Sequence, residues 1–186
     1  MHSLIIFASG AGTNAAAIIS YFKQNGKAKV SLIVSNKADA GVLQIAEKEE
    51  IPFLIVNKQT LNETMLIEQI TDAKPSLIVL AGFMWKVPAG IVHAFPGKII
   101  NIHPALLPGY GGKGMYGHHV HNAVVSAKEK ESGITIHYVN EVYDDGNIIL
   151  QARCMIHEND NAEELAARIH KLEHFYYPRA IEFLLG

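Results

Sequence analysis

Apolar runs of strand length recur at residues 4–8, 30–35, 53–56, 77–81 and 99–102. Between them apolar positions return every three or four residues, the period of a half-buried helix. This alternation predicts an α/β fold built on a parallel, doubly wound sheet. Thr60 with Glu63, and Asp160 with Glu163, stand at the spacing of a reciprocal N-terminal cap, and Pro88 suits a first helical turn. Beyond Gly133 the pattern changes: Ile134-Thr135-Ile136-His137-Tyr138-Val139 and residues 148–156 flank an Asp-Asp-Gly-Asn turn, as antiparallel partners at a sheet edge would. A last helix is expected from about Asn161, ending or kinking near Pro178, whose ring lacks an N–H. The expectation is a single three-layer domain over residues 1–186, mainly parallel with an antiparallel edge.

With 186 residues, 49% of them apolar, the chain can bury one substantial core. A formal net charge of -2 leaves no positive excess for a phosphate backbone, so nucleic acid is not an expected partner. The first apolar run is too short for a signal peptide and no later run reaches membrane-spanning length, so no membrane partner is expected either. Cys154 is the only cysteine, which suits a reducing, cytoplasmic compartment; the Asn62-Glu63-Thr64 glycosylation triplet is then a coincidence.

The first strand leads into Ser9-Gly10-Ala11-Gly12-Thr13-Asn14 and then a helical stretch, an anion site in outline. Gly10 and Gly12 permit backbone conformations a side chain forbids, Thr13 or Asn14 can cap the helix, and free N–H groups at its start attract phosphate. The same residues fit the G-x-G-x-x-G/A fingerprint of dinucleotide-binding folds. That fingerprint needs an acid at the end of the second strand, which here ends in Ser35-Asn36-Lys37, with Asp39 several residues late. A purely structural turn is the third reading. A triphosphate loop is excluded, because no Gly-Lys-Ser/Thr follows.

In Lys98-Ile99-Ile100-Asn101-Ile102-His103-Pro104, strand alternation points Asn101 and His103 the same way at a strand's carboxyl end, where ligands bind in open α/β sheets. A polar pair satisfied by the following loop is the competing reading. Cys154 reads as a buried core thiol rather than a nucleophile, since no acid or base flanks it. His118-His119-Val120-His121 reads as polar surface at a helix entry, and no metal site is expected. His137 fits either a core edge or a place beside His103. Leu165, Ile169, Leu172 and Tyr176 form a core stripe with Glu173 at its border, and Lys128-Glu129-Lys130-Glu131 reads as a solvated helix end. Residues 109–117 form the one long irregular segment, and such loops are usually functional.

Asn101-Ile102-His103-Pro104-Ala105-Leu106-Leu107-Pro108 resembles the Asn-Ile-His-Pro-Ser-Leu-Leu-Pro segment of 10-formyltetrahydrofolate-dependent formyltransferases. Ser9-Gly10-Ala11-Gly12-Thr13-Asn14 resembles the family's phosphate loop. Ser35-Asn36-Lys37-Ala38-Asp39-Ala40, Leu80-Ala81-Gly82-Phe83-Met84 and Tyr143-Asp144-Asp145-Gly146 follow in family order, so the resemblance runs from about residue 4 to residue 178. The transfer-RNA branch lacks this loop and adds a C-terminal domain, and the deformylase branch adds an N-terminal one. With the loop at residue 9 and the end at Gly186, neither extra domain is expected, which points to the branch that formylates glycinamide ribonucleotide in purine synthesis.

The resemblance implies direct attack of that substrate's amine on the formyl carbon of 10-formyltetrahydrofolate, a co-substrate, with no covalent nucleophile and no tightly bound cofactor. It assigns Asn101 and a protonated His103 as oxyanion donors. Asp144 is to keep His103 charged and relay the amine's proton, while Asp145 faces away. Gly12, Thr13 and Asn14 are to hold the substrate phosphate and Met84 and Glu173 the rest of the nucleotide. Trp85, Lys86, Val87, Asn140, Glu141, Val142 and Tyr143 are to line the folate site. Residues up to about 100 are expected to bind the phosphate, and those from about 101 to complete the folate and catalytic sites. Three departures stand out: Trp85-Lys86 where the family carries an Arg after Met84, His170 in place of Gln or Lys, and a longer loop at residues 113–117. The rival is a non-catalytic nucleotide- or dinucleotide-binding module.

Overall fold

The computed structural model describes residues 1–186, apart from the side chain of Asn62, so the acceptor side chain of the glycosylation triplet lies outside what is described. One seven-stranded sheet runs in the order β3-β2-β1-β4-β5-β6-β7. Its strands are β1 (His2–Phe7), β2 (Ala28–Ser35), β3 (Phe53–Ile55), β4 (Leu77–Leu80), β5 (Ile99–His103), β6 (Glu131–Tyr138) and β7 (Ile148–Met155). The first five are parallel, whereas β6 runs antiparallel to β5 and β7 antiparallel to β6, as the change of pattern after Gly133 predicts. The helices are α1 (Thr13–Asn25), α2 (Gly41–Lys48), α3 (Thr64–Asp72), α4 (Ala89–Ala94), α5 (His118–Ser126) and α6 (Ala162–Leu185).

Continuous apolar runs suit central strands because both faces are covered. In β1, Leu4 and Ile6 pack into one core with α1, α5 and α6, while Ile5 and Phe7 enter the other core with α3 and α4. The chain builds outward from β1 to β3 and then crosses to β4 on the other side. The carboxyl ends of β1 and β4 therefore bracket a topological switch point, where open α/β sheets leave a crevice.

Several helix ends differ from expectation. Asn57, not Thr60, organises the turn before α3: its Oδ1 accepts from Gln59 N at 2.8 Å and Thr60 N at 2.9 Å. A short amide side chain satisfies these donors locally, so Thr60 begins a 3₁₀ turn and Glu63 forms no side-chain cap. The second capping box sits one residue later, between Asn161 and Glu164, because Asp160 is held by Arg168 at 2.7 and 3.0 Å. Pro88 is the N-cap residue of α4 rather than part of its first turn. Helix α6 runs through Pro178 to Leu185, because Tyr177, Pro178, Ala180 and Ile181 are all buried and this packing outweighs one lost helical bond. Its buried row is Leu165, Ile169, Glu173, Tyr177 and Ile181; Leu172 and Tyr176 lie only at its margin. The Lys128 to Glu131 run follows the end of α5 and leads into β6. Cys154 is half-buried rather than core, and burial pushes its thiol pKa up, away from the nucleophilic thiolate.

Candidate active site

At the switch point lies a cleft of about 630 Å³, with the Ser9 to Asn14 loop at one end. Gly12 is the N-cap of α1 at φ +78°, and a Cβ there would stand 2.8 Å from the Cα of Val42, so conformation and space both require glycine. Val42 N donates to Gly10 O at 3.1 Å and Met84 N to Ser9 Oγ at 2.8 Å, which fastens the loop to its neighbours. Neither Thr13 nor Asn14 caps α1, so its first-turn N–H groups remain available to a ligand. Asn14 Nδ2 instead donates to Glu173 Oε2 at 3.1 Å. Ser35 Oγ turns back on Lys37 and β2 ends without an acid, which removes the ribose contact a dinucleotide site would use.

Midway along the cleft, β5 presents Asn101 and His103 on one face, and the antiparallel register places His137 opposite Asn101 and Thr135 opposite His103. Thr135 Oγ1 donates to Ala105 O at 2.7 Å and accepts from Leu107 N at 2.9 Å, so β6 shapes the turn after β5. His103 is 3% exposed, with Nε2 at 2.7 Å from Tyr110 O. A carbonyl only accepts, so Nε2 carries a proton and Nδ1 is the nitrogen turned toward Asp144, 3.6 Å from Oδ2. His137 Nδ1 donates to Tyr138 O at 2.9 Å, leaving Nε2 to accept from Asn101 Nδ2 at 3.2 Å. Burial pushes the His137 pKa down and keeps that ring neutral, and its Nε2 lies 3.8 Å from Asp144 Oδ1.

Asp144 adopts φ +53°, a region disfavoured for residues with a side chain, and Gly112 N donates to its Oδ2 at 2.9 Å. Asp145 is exposed and accepts from Asn140 Nδ2 at 3.3 Å, while Asn140 Oδ1 takes Val142 N at 2.8 Å and makes the local turn.

The loop end of the cleft also carries His170 and Glu173. Glu173 is 5% exposed and accepts from Asn14 and, at 2.8 Å, from His170 Nδ1; this bond raises the His170 pKa. Met84, bonded to Ser9 of the loop, leads into Trp85, Lys86 and Val87, which line the cleft with Asn140, Val142 and Tyr143; Lys86 Nζ is 5.8 Å from the Tyr143 ring centroid. Val87 is buried in the core beneath. Glu141 does not line the cleft; its carboxylate bonds His93 Nε2 at 2.6 Å. A second hollow of about 560 Å³ shares Met84, Trp85, Lys86, Val87 and Tyr143 with the cleft and has Lys58 and Lys86 on its walls. His118 and His119 are exposed at the start of α5 as expected, whereas His121 is buried. No group of three His, Cys, Asp or Glu among the described residues could hold a metal ion.

The formyl transferase family's sequence signature matches residues 2–181. The chain belongs to that family. Phosphoribosylglycinamide formyltransferase of Bacillus subtilis (strain 168) is 41% identical over 192 residues, spanning 100% of this chain and 96% of that protein. The chloroplastic phosphoribosylglycinamide formyltransferase of Arabidopsis thaliana is 40% identical across 96% of this chain, which spans only 63% of the plant protein's length. The crystal structure of phosphoribosylglycinamide formyltransferase from Bacillus halodurans superposes with a TM-score of 0.89 at 35% identity, covering 99% of this chain and 95% of that one.

Within this formyl transferase, Asn101, His103 and Asp144 come together, while Glu141 turns outward. Sequence reasoning missed Tyr110 and Thr135 and left His137 open. The signal for Thr135 and His137 was the strand pairing, which periodicity does not encode; that for Tyr110 was a backbone carbonyl, to which residue type is blind.

Proposed function

We propose that this formyl transferase moves a formyl group from 10-formyltetrahydrofolate to the amine of glycinamide ribonucleotide in purine synthesis. The observation carrying this reading is the cleft's lining, which brings an anion loop, the aromatic and apolar side chains of Trp85, Val87, Val142 and Tyr143, and Asn101, His103 and Asp144 into one cavity. Gly12, Thr13 and Asn14 take the substrate phosphate, and Glu173 and the Met84 segment take the sugar and glycinamide. Trp85, Lys86, Val142 and Tyr143 bracket the pterin and its arm, and the cations of the adjoining hollow suit a glutamate tail. The division at about residue 100 is then uneven, because Glu173 serves the phosphate end and Trp85 the folate end.

In the reaction, the amine nitrogen bonds to the formyl carbon and the formyl oxygen takes up negative charge. The Asn101 amide, oriented by neutral His137, and Nδ1–H of protonated His103 stabilise that oxyanion. One such donor is typically worth ~3–4 kcal/mol of barrier. Asp144, at 3.6 and 3.8 Å from two imidazoles, is near enough to favour the His103 imidazolium and leaves room for a water that takes the amine's proton. Collapse breaks the bond to the folate nitrogen, which leaves with a proton. We assign the reaction to the cytoplasm, in keeping with the single cysteine; no helix among the described residues is long and apolar enough to cross a membrane.

The test is formyl transfer itself: mix the protein with both substrates and follow the absorbance of deformylated folate. Absence of turnover, or tight NAD binding at the Gly loop, sinks the proposal.

A further inference from the structure

His121 has no task in this mechanism, yet it is 3% exposed and lines the cleft. It sits on α5, near Glu173 and His170 of α6, His118 of its own helix and His103. Its Nδ1 is buried without a hydrogen-bond partner among the described residues. The other ring nitrogen, Nε2, makes no bond and is not among the buried atoms, so it is the one that opens on the cleft. A proton on Nδ1 would bury an N–H with no acceptor. The uncharged ring therefore keeps its proton on Nε2, where a ligand can use it. Burial, assisted by the His170 and His118 imidazoles and opposed by Glu173, lowers the pKa of His121 to about 4, so the ring is neutral near pH 7.

Glu173 narrows the choice of ligand atom. Its Oε2 already accepts from Asn14 and His170, while Oε1 makes no hydrogen bond and is not among the buried atoms. The cleft thus offers a carboxylate acceptor and a neutral N–H donor, close enough for the carboxylate to act on the imidazole electrostatically. A phosphate is repelled by the carboxylate, and an ammonium has no lone pair for the N–H. A hydroxyl satisfies both, donating to the carboxylate and accepting from the imidazole.

We propose that His121 is a binding residue for the nucleotide substrate, its neutral Nε2–H donating to a sugar hydroxyl that in turn donates to Glu173. This rests on the formyl-transfer reading for the identity of the sugar phosphate. Calorimetry with methyl ribofuranoside 5-phosphate, its 2,3-dideoxy counterpart and a non-reactive folate analogue tests it in the wild type, His121→Phe and His121→Gln. The Phe ring fills the site without a donor, while Gln keeps an N–H. His121→Phe should weaken the riboside phosphate roughly 3- to 10-fold, the range of one hydrogen bond, and leave the dideoxy sugar and the folate analogue unchanged. His121→Gln should recover part of the loss. Equal losses for both sugars, or no loss, overturn the proposal.

Nitrogen NMR of the wild-type ring provides a readout that needs no folded variant. It should show the Nε2–H tautomer, with its Nε2 signal moving on addition of the riboside phosphate and not of the dideoxy sugar; an Nδ1–H tautomer or an unmoved signal overturns the assignment. If the wild type discriminates the two sugars through His121 yet transfers no formyl group, the reading of the reaction fails and the sugar contact stands.

Discussion

Asp144 and Asp145 are adjacent, chemically identical and oppositely placed, and only Asp144 stands beside His103 and His137. Asp144 lies 3.6 Å from His103, whereas the Asp145 carboxylate meets Asn140 at the exposed face of the turn. Asp144→Asn keeps the acceptor for Gly112 N but loses the charge, and kcat should fall by the ~10²–10⁴ usual for a general acid or base. Asp145→Asn should change kcat less than about threefold, a surface-sized effect. Steady-state rates of the two variants side by side decide it, and a dead Asp145→Asn with an active Asp144→Asn would overturn the proton path. The Asn101 and His103 pair was legible in the sequence because strand alternation alone puts them on one face. His137 was not, because its place depends on which residues of β6 lie opposite β5, and antiparallel register is set by the intervening turn and packing.

Among the elements, strands were legible to within about three residues, β6 starting at Glu131 and not Ile134, since a run buried on both faces is apolar throughout. Helix ends were less so, because several side chains near each end compete for the same free N–H groups: Asn57 displaced Thr60, and Asn161 displaced Asp160. The Gly loop was recognised, but its Asn14 serves Glu173 and not the helix. Gly12 carries the loop's geometry, and Gly12→Ala faces both a positive φ and a 2.8 Å contact with Val42. The variant should lose about 2–4 kcal/mol in denaturant unfolding, and its KM for the nucleotide should rise far more than that for the folate. Equal KM changes for the two substrates would detach this loop from the phosphate.

For the whole molecule, three layers were readable from the alternation of strand and helix, but not the crossing from β3 back to β4, because periodicity says nothing of strand order. Burial of charge-capable groups in the finished fold also sets its pH tolerance. An unfolded His121 takes up a proton as pH falls below 6.5, and the folded ring resists until about 4. Stability should therefore fall through that window, by about 3 kcal/mol from His121 once both states are protonated, and His137 acts in the same direction. His170, raised by Glu173, has the opposite sign: its contribution is present below pH 6.5 and fades as pH rises through its folded value. Urea unfolding at pH 7, 6, 5 and 4.5 should show the loss, with a shallower slope in His121→Phe; a flat profile in the wild type would mean that His121 is not held neutral.

The chain has a single tryptophan, Trp85, partly exposed on the wall of the cleft where the proposed folate slot begins. All indole emission from this protein thus originates on that wall of the cleft. A pterin settling against the ring should change its emission by replacing the water around it, while a sugar phosphate on the Gly loop should leave the signal almost untouched. On the proposed reading the protein carries its own optical reporter for the folate, and the order in which the two substrates bind can be followed without a label.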